Sequence, residues 1–159
     1  MKMMFFHGLE SGPHGRKYQA LKVEFPHIVS PDFRCLETIE ERVAHAIALT
    51  EGDTDLVIVG SSFGGLCAAI LADRHPERVS SLVLCAPALH REEAQDLSVP
   101  AGTVIIHGTL DDVVPIEASR AWAKHRKVYL AEVVDDHRLE ESRDLVVRLT
   151  RERVRATSV

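Results

Sequence analysis

Residues 60–64 read Gly-Ser-Ser-Phe-Gly and separate a short β-branched run from a run of small apolar residues. The run before them, 55–59, is Asp-Leu-Val-Ile-Val, which is typical of a buried parallel strand. The run after them, 66–72, is apolar on all sides, as a central buried helix is. A strand that leads directly into a helix needs a sharp turn, and glycines permit the close backbone approach there. The pattern therefore predicts that Ser62 lies at the carboxyl edge of a sheet, at a helix N-terminus.

Short apolar strands alternate with amphipathic helical stretches along the chain. Strands are predicted over 2–6, 27–29, 55–60, 79–85, 103–107 and 127–134, and helices over 14–25, 36–51, 63–75, 115–125 and 138–152. This alternation predicts an α/β fold, with a mostly parallel sheet and helices on both faces. One domain is expected over residues 1–159, with only 151–159 loose at its end.

Two further loops follow predicted strands and carry an acid and a histidine. Asp111 lies in the loop after the strand at 103–107, and His137 follows the strand at 127–134. In an open parallel sheet these loops and the Ser62 turn meet at one edge, where ligands bind. In one known arrangement a serine nucleophile, an orienting carboxylate and a histidine base follow one another along the chain in this order.

Covalent acyl transfer requires these three residue types. A serine hydroxyl becomes a nucleophile when a base takes its proton, and histidine serves because its pKa lies near neutral pH. A carboxylate holds the imidazole in one tautomer and stabilises the imidazolium. We therefore expect Ser62 as nucleophile, His137 as base and acid, and Asp111 as orienting carboxylate. Asp135 and Asp136 are alternatives for the acid, but their adjacency to His137 disfavours an approach to Nδ1.

Two backbone N–H groups are expected to form an oxyanion hole beside the serine. One belongs to Phe63, directly after the nucleophile, and the other to Leu9, in the loop after the first strand. Glu10 and Ser11 follow in that loop and either touch substrate or order the loop. Val113, two residues after the acid, is a further candidate substrate contact.

Four motifs together resemble the α/β-hydrolase superfamily and, within it, the small bacterial YqiA-like esterases. They are Phe6-His7-Gly8-Leu9-Glu10-Ser11, Gly60-Ser61-Ser62-Phe63-Gly64-Gly65, His107-Gly108-Thr109-Leu110-Asp111-Asp112-Val113-Val114-Pro115 and Asp136-His137-Arg138-Leu139. The resemblance spans nearly the whole chain and implies hydrolysis of carboxylic esters or acyl thioesters. It also implies a minimal six-stranded sheet that lacks the superfamily's first two strands, and no large lid. The superfamily's acid is followed by x-Val-Val-Pro, which selects Asp111 over Asp112.

Several alternatives stay open from the sequence. A binding or scaffold protein on the same fold is one, because fold does not dictate function, and an amidase or peptidase with the same machinery is another. Residues 86–102 form either an ordinary connection or a small wall on one side of an open site. A thioester substrate carrying a nucleotide phosphate would meet a few basic residues near the site: Arg16, Lys17, His90 and Arg91.

His7, His107 and the three cysteines are expected to be structural, whereas the other histidines apart from His137 are expected to be solvated, in loops or on helix surfaces. His7 and His107 each precede a glycine at a strand end, and we expect them to shape their loops by packing and hydrogen bonding. Cys35, Cys67 and Cys85 are odd in number and have no paired spacing, which is typical of reduced thiols. No metal and no cofactor is expected, because neither a metal-ligand spacing nor a dinucleotide fingerprint is present.

The composition limits which kinds of partner the chain is expected to bind. With 45% hydrophobic and 27% charged residues the chain has the composition of a globular protein. A net charge of −5 provides no electrostatic footprint for nucleic acid and disfavours adhesion to anionic membranes. No apolar run reaches the length of a membrane span, and the first residues are typical of a strand, not of a signal peptide. We expect a cytoplasmic protein whose partner is a small acyl substrate, with an oligomeric state that the sequence does not determine.

Overall fold

A computed structural model describes residues 1–159 and shows five parallel strands between two layers of helices. The strands are β1 (Lys2–Phe6), β2 (Leu56–Ser61), β3 (Val79–Cys85), β4 (Val104–Gly108) and β5 (Tyr129–Val133). The helices are α1 (Arg16–Glu24), α2 (Ile39–Leu49), α3 (Phe63–Arg74), α4 (Ile116–Arg126) and α5 (Arg143–Thr157). The strands lie side by side in chain order, each parallel to its neighbour. The α/β prediction, with helices on both faces of a parallel sheet, is confirmed.

The order of the strands determines which helices share a layer. When parallel strands are added in one direction by right-handed crossovers, the crossover helices fall on the same face. The core on that face contains residues of α2, α3 and α4, while the core on the other face contains residues of α1 and α5. The α3 helix is buried from Phe63 to Ala72, which explains why its sequence is apolar on all sides. None of the five helices combines the length and the hydropathy that a membrane crossing needs.

The prediction of a sixth strand at 27–29 is wrong, and the sheet has five strands. In this segment only Val29 bridges to β1, through two backbone hydrogen bonds of 2.9 Å. Pro26 and Pro31 stand on either side, and a proline has no N–H to donate to a ladder. The segment therefore covers the outer edge of β1 at one position without becoming a strand.

Two predicted helices differ from the structure by three residues or more at an end. The α2 helix begins at Ile39, because Thr38 forms a capping box in which the Glu41 N–H donates to Thr38 Oγ1 at 3.2 Å. The α5 helix begins at Arg143, five residues later than predicted, and continues to Thr157. The expectation of a loose segment after 151 is therefore wrong for 151–157. Arg151 Nε donates to Glu24 of α1 at 2.6 Å, which helps to hold this end of α5.

The connection between β3 and β4 is fastened to the helical layer and forms no lid. Its middle contains one short 3-10 turn, Glu92–Ala94. Trp122 of α4 donates its indole N–H to the Ala94 carbonyl at 2.8 Å, and Arg126 Nε donates to the Leu97 carbonyl at 2.8 Å. Of the two interpretations of residues 86–102, the ordinary connection is the one that these contacts favour.

Candidate active site

The turn between β2 and α3 holds Ser62 in a strained conformation. Its φ and ψ are 54° and −116°, a region that residues other than glycine rarely occupy. The Ser62 N–H donates to the Cys85 carbonyl at 2.9 Å, and the Ala88 N–H donates to the Ser62 carbonyl at 3.0 Å. These bonds join the turn to the end of β3, and they stabilise the strained backbone conformation of Ser62.

Gly64 lets the first turn of α3 touch the end of β1. A Cβ at this position would collide with the Phe6 carbonyl oxygen and lie 2.5 Å from the His7 carbonyl oxygen. Real Cβ atoms essentially never come closer than 3.0 Å to such neighbours. The last glycine of the Gly-Ser-Ser-Phe-Gly sequence is therefore required by this contact, which brings the N-terminus of α3 next to the loop after β1.

Ser62, His137 and Asp111 lie on one continuous line of hydrogen bonds. His137 Nε2 is 3.0 Å from Ser62 Oγ, and His137 Nδ1 is 2.7 Å from Asp111 Oδ2. Because an ionised carboxylate only accepts, Nδ1 carries the proton and Nε2 is left to accept the serine proton. The loops after β2, β4 and β5 thus bring together the three residues that the sequence predicted, at the carboxyl edge of the sheet.

The side chain of Asp111 is buried and surrounded by hydrogen-bond donors. The backbone N–H groups of Val113 and Val114 donate to its Oδ1 at 2.9 and 2.8 Å, while Oδ2 faces His137 and His107. Burial opposes ionisation of this carboxyl group. The hydrogen bonds from His137, Val114 and Val113 outweigh that effect and hold the pKa of Asp111 below its ordinary value. The side chain is therefore a carboxylate at neutral pH.

His107 lies directly behind the carboxylate and is fully buried. Its Nε2 donates to the Val114 carbonyl at 3.0 Å and lies 3.1 Å from Asp111 Oδ2. Its Nδ1 lies 2.7 Å from the Ser119 hydroxyl, which donates to it. Burial lowers the pKa of His107, so the ring is neutral at neutral pH. Loop shaping by this histidine agrees with the prediction, but its contact with the acid was not foreseen.

The two alternative acids are engaged elsewhere in the His137 loop. Asp135 accepts a hydrogen bond from the Ser142 hydroxyl at 2.9 Å, and Asp136 accepts one from the Arg138 N–H at 2.9 Å. Neither carboxylate is bonded to His137. Leu139, two residues after the histidine, is buried and has a φ of 55°, so this loop also contains a strained residue.

The two expected oxyanion donors belong to Phe63, directly after Ser62, and to Leu9, directly after Gly8, whose backbone approaches Ser62. The Phe63 N–H lies in the first turn of α3, where a helix provides no acceptor for its N–H groups. The Leu9 N–H has no hydrogen-bond partner within the chain. Glu10 and Ser11 follow in the same loop with exposed side chains, and the Ser11 hydroxyl lies 3.4 Å from the Gly8 carbonyl.

The surroundings of the serine are open and partly apolar. Leu9, Leu110 and Val113, in two of the loops at this edge, are 46%, 63% and 62% exposed. A cavity of about 540 Å³ lies between β5 and α5, and one of about 290 Å³ lies between α2 and α3. Neither cavity is lined by Ser62 or His137.

Most of the basic residues near the site already have partners. Three of the four that the sequence singled out are paired: Arg16 with Glu140 at 3.0 Å, Lys17 with the Arg138 carbonyl at 2.6 Å and Arg91 with Glu93 at 3.1 Å. No group of three or more histidine, cysteine or acidic side chains is arranged to hold a metal ion.

The cysteines are free thiols, two of them in the core. Burial raises the pKa of the Cys67 thiol to about 12 and that of the Cys85 thiol to about 11. Both thiols are therefore protonated and unreactive at neutral pH. Cys35 is exposed on the surface.

Sequence reasoning missed Arg42. This residue of α2 is fully buried, and its guanidinium donates to the carbonyls of His7 and Gly8 in the loop after β1. A signal was present, because position 42 lies on the same helical face as the apolar residues Ile39 and Val43. A charged residue within an apolar stripe is a candidate for a buried role.

The chain is similar to known proteins in both sequence and structure. A model of the alpha/beta hydrolase fold matches residues 6–102. The lipase LipV of Mycobacterium tuberculosis is 29% identical over an alignment 150 residues long, and the match covers 86% of this chain and 57% of LipV. The chain thus spans little more than half the length of that lipase.

Solved structures match almost the whole chain. A protein from Xanthomonas campestris pv. campestris, assigned to the alpha/beta superfamily of hydrolases, has a TM-score of 0.85 and 26% identity; the match covers 98% of this chain and 99% of that chain. Est1E from Butyrivibrio proteoclasticus has a TM-score of 0.77 and 19% identity, with 98% of this chain and 87% of that chain covered. At this identity the likeness to Est1E is one of fold.

Proposed function

The chain belongs to the α/β-hydrolase family, and on that premise we propose that it is a serine hydrolase that cleaves carboxylic esters. The resemblance predicted from the four motifs is thereby confirmed at the level of the superfamily. The observation that carries the proposal is the line of hydrogen bonds from Ser62 through His137 to Asp111, at 3.0 and 2.7 Å. We take residues 1–159 as one catalytic domain.

In the proposed reaction Ser62 Oγ attacks the ester carbonyl while its proton passes to His137 Nε2. Asp111, ionised and bonded to Nδ1, stabilises the imidazolium without taking the proton. The N–H groups of Leu9 and Phe63 stabilise the oxyanion. His137 then gives its proton to the alcohol that leaves, and an acyl-enzyme remains on the serine. Water, deprotonated by the same histidine, releases the acid and restores Ser62.

The charge distribution supports an ester over a thioester of a nucleotide carrier. A nucleotide phosphate needs free cationic side chains, whereas Arg16 and Arg91 are paired with Glu140 and Glu93, and Lys17 donates to the Arg138 carbonyl. The lipase name of LipV also belongs to ester chemistry. The thioester alternative is therefore the second candidate, and we propose carboxylic esters as the substrate class.

The open edge supports small acyl groups or extended chains that lie on the surface. The connection over 86–102 is fastened to α4, and no lid covers the serine. Exposed Leu9, Leu110 and Val113 provide apolar contact area for an acyl or alcohol group. Such a site offers few contacts that would recognise a peptide sequence, which disfavours the peptidase alternative.

The proposal is tested by turnover of a series of esters that differ in acyl length, with the matching acyl-coenzyme A thioesters in parallel. Ser62→Ala is expected to abolish ester turnover while thermal unfolding stays near the wild-type temperature. Ser61→Ala removes the neighbouring hydroxyl and is the matched control, which retains most of the turnover. Ester turnover that survives in Ser62→Ala, or a folded wild-type protein without turnover of any substrate, would contradict the proposal. The second result would favour the binding-protein alternative.

A further inference from the structure

A buried guanidinium lies beneath the loop after β1. Arg42 is fully buried and forms no ion pair with a carboxylate. Its Nε donates to the Leu36 carbonyl at 3.0 Å, its Nη1 to the His7 carbonyl at 2.7 Å and its Nη2 to the Gly8 carbonyl at 3.1 Å. A buried charge without a counter-ion is unfavourable unless its hydrogen bonds are complete, so its presence calls for an explanation.

The bonds to Gly8 determine where the Leu9 N–H points. The Gly8 carbonyl oxygen accepts from Arg42 Nη2 at 3.1 Å and from His7 Nδ1 at 2.7 Å, both in the interior. In a planar trans peptide the C=O and the following N–H point in opposite directions. The Leu9 N–H therefore faces away from Arg42. Gly8 adjoins the nucleophile, since a Cβ on Gly8 would lie 3.5 Å from Ser62 Cβ.

The protonation of His7 agrees with this arrangement. The Phe33 N–H donates to His7 Nε2 at 2.8 Å, which leaves the proton of the neutral ring on Nδ1. Burial lowers the pKa of His7, so the ring is neutral. Nδ1–H is thus a second donor to Gly8, and two donors from separate elements hold one carbonyl oxygen.

Arg42 also contacts the residue that provides the other donor. Its guanidinium carbon lies 5.0 Å from the centre of the Phe63 ring and 5.3 Å from that of Phe33. These distances allow favourable cation–π contacts, which compensate part of the buried charge. One guanidinium therefore contacts both the Gly8–Leu9 peptide, which provides one proposed oxyanion donor, and the ring of Phe63, whose backbone N–H provides the other.

We propose that Arg42 is a positioning residue of the oxyanion hole, which holds the Gly8–Leu9 peptide so that the Leu9 N–H faces the reacting carbonyl. The inference rests on the proposed function. The planar fork of arginine spans the two carbonyls of His7 and Gly8, a geometry that a lysine ammonium does not reproduce. A charge-assisted bond to the Gly8 oxygen also polarises the peptide and strengthens its N–H as a donor.

The inference predicts a loss in the chemical step. Without the guanidinium, the Gly8 carbonyl keeps only His7 as a strong partner, and the peptide is free to rotate. Loss of one oxyanion donor typically lowers kcat by about 10²–10³-fold. Since Leu9 N–H acts on the charge that develops in the transition state, KM is expected to change little.

A thionoester tests this role directly. The sulfur anion that forms from it is a weaker hydrogen-bond acceptor than an oxyanion. The oxyanion donors therefore account for much of the faster turnover of the oxygen ester relative to the thionoester. We would measure kcat and KM on an aryl ester and on its thionoester, for the wild type, Arg42→Lys and Arg42→Met. Arg78→Lys is the matched control, because Arg78 Nη1 donates to the Ile47 carbonyl at 2.8 Å, near the other end of α2.

Both Arg42 variants are expected to lose about 10²-fold or more in kcat on the ester and much less on the thionoester, whereas Arg78→Lys keeps the wild-type ratio. Equal losses on both substrates in Arg42→Lys, shown to be folded by thermal unfolding, would overturn the positioning role. If Arg42→Met does not fold, Arg42→Lys gives the same readings. A folded wild type that cleaves neither ester overturns the proposed function and this inference with it. An active wild type whose Arg42 variants keep the same ester-to-thionoester ratio overturns only this inference.

Discussion

Substitution of Gly64 by alanine moves the two proposed oxyanion donors apart without removing any functional group. The new Cβ would lie 2.5 Å from the His7 carbonyl oxygen and closer still to that of Phe6, at least 0.5 Å inside the 3.0 Å limit of real contacts. All of these neighbours are backbone atoms, so α3 and the end of β1 must separate by that amount or more. Productive geometry in active sites tolerates only about 0.5 Å.

Gly64→Ala is therefore expected to lower kcat/KM on an ester by about 10²-fold, since a misplacement near 1 Å has an effect of that size. Overpacking should also reduce the free energy of unfolding by about 1–3 kcal/mol. Urea unfolding and ester turnover measure the two effects separately. Gly15→Ala is the matched control, because nothing lies within 4 Å of its new Cβ. Wild-type turnover in Gly64→Ala would refute the reasoning that this contact sets the distance between the donors.

Three further predictions follow from the charges and burial of other side chains. Asp111→Asn should lower kcat by about 10⁴-fold with little change in thermal unfolding, because the backbone donors hold the amide oxygen at the Oδ1 position and turn the NH₂ group towards the imidazole; a loss below tenfold would contradict this. Native protein treated with a thiol reagent should take one label, on Cys35, as measured by intact mass, and labelling of buried Cys67 or Cys85 would show that the core opens. Burial lowers the pKa of His107, so below about pH 6.5 the unfolded chain binds more protons than the folded chain, and the free energy of unfolding falls as the pH is lowered, by up to about 1.4 kcal/mol per pH unit for this group. Urea unfolding between pH 5 and 7.5 should show a weaker dependence of this free energy on pH in His107→Gln than in the wild type. An equal dependence in both proteins would exclude His107 as its source.

The layout of the sheet and the three polar groups at its edge were predictable because they depend on local pattern and on a general rule of parallel sheets. The apolar run before Ser62 and the small residues after it indicate a strand and a buried helix. Once the strands are parallel, every loop after a strand lies at the same edge. Asp111 and His137 could therefore be placed beside the serine without any knowledge of distances.

Short β-branched runs were less informative. His27-Ile28-Val29 has the composition of a strand, yet only Val29 pairs with β1, because prolines on both sides limit the ladder. The predicted start of α5 is also too early. The positive φ of Leu139 and the hydrogen bond from Ser142 to Asp135 prolong the loop after the histidine, and these depend on tertiary contacts.

The burial of Arg42 is signalled by the apolar face on which it lies, but its partners could not be predicted because they are backbone carbonyls. Complementary charges or metal-ligand spacings are visible in a sequence, whereas every residue has a carbonyl. The oxygens that Arg42 binds belong to His7 and Gly8, more than thirty positions away. The contact of His107 with Asp111 is hard to predict for a different reason, because it forms only when a strand end and its following loop fold back on each other.

The central claim is that base and oxyanion donors activate Ser62, and intact mass after treatment with a fluorophosphonate tests it most directly. Such a reagent modifies a serine when a neighbouring base and oxyanion hole activate the hydroxyl. The account predicts a single adduct on the wild-type protein, lost in Ser62→Ala and in His137→Ala. A folded wild-type protein that remains unmodified, or an adduct that persists in Ser62→Ala, would contradict it.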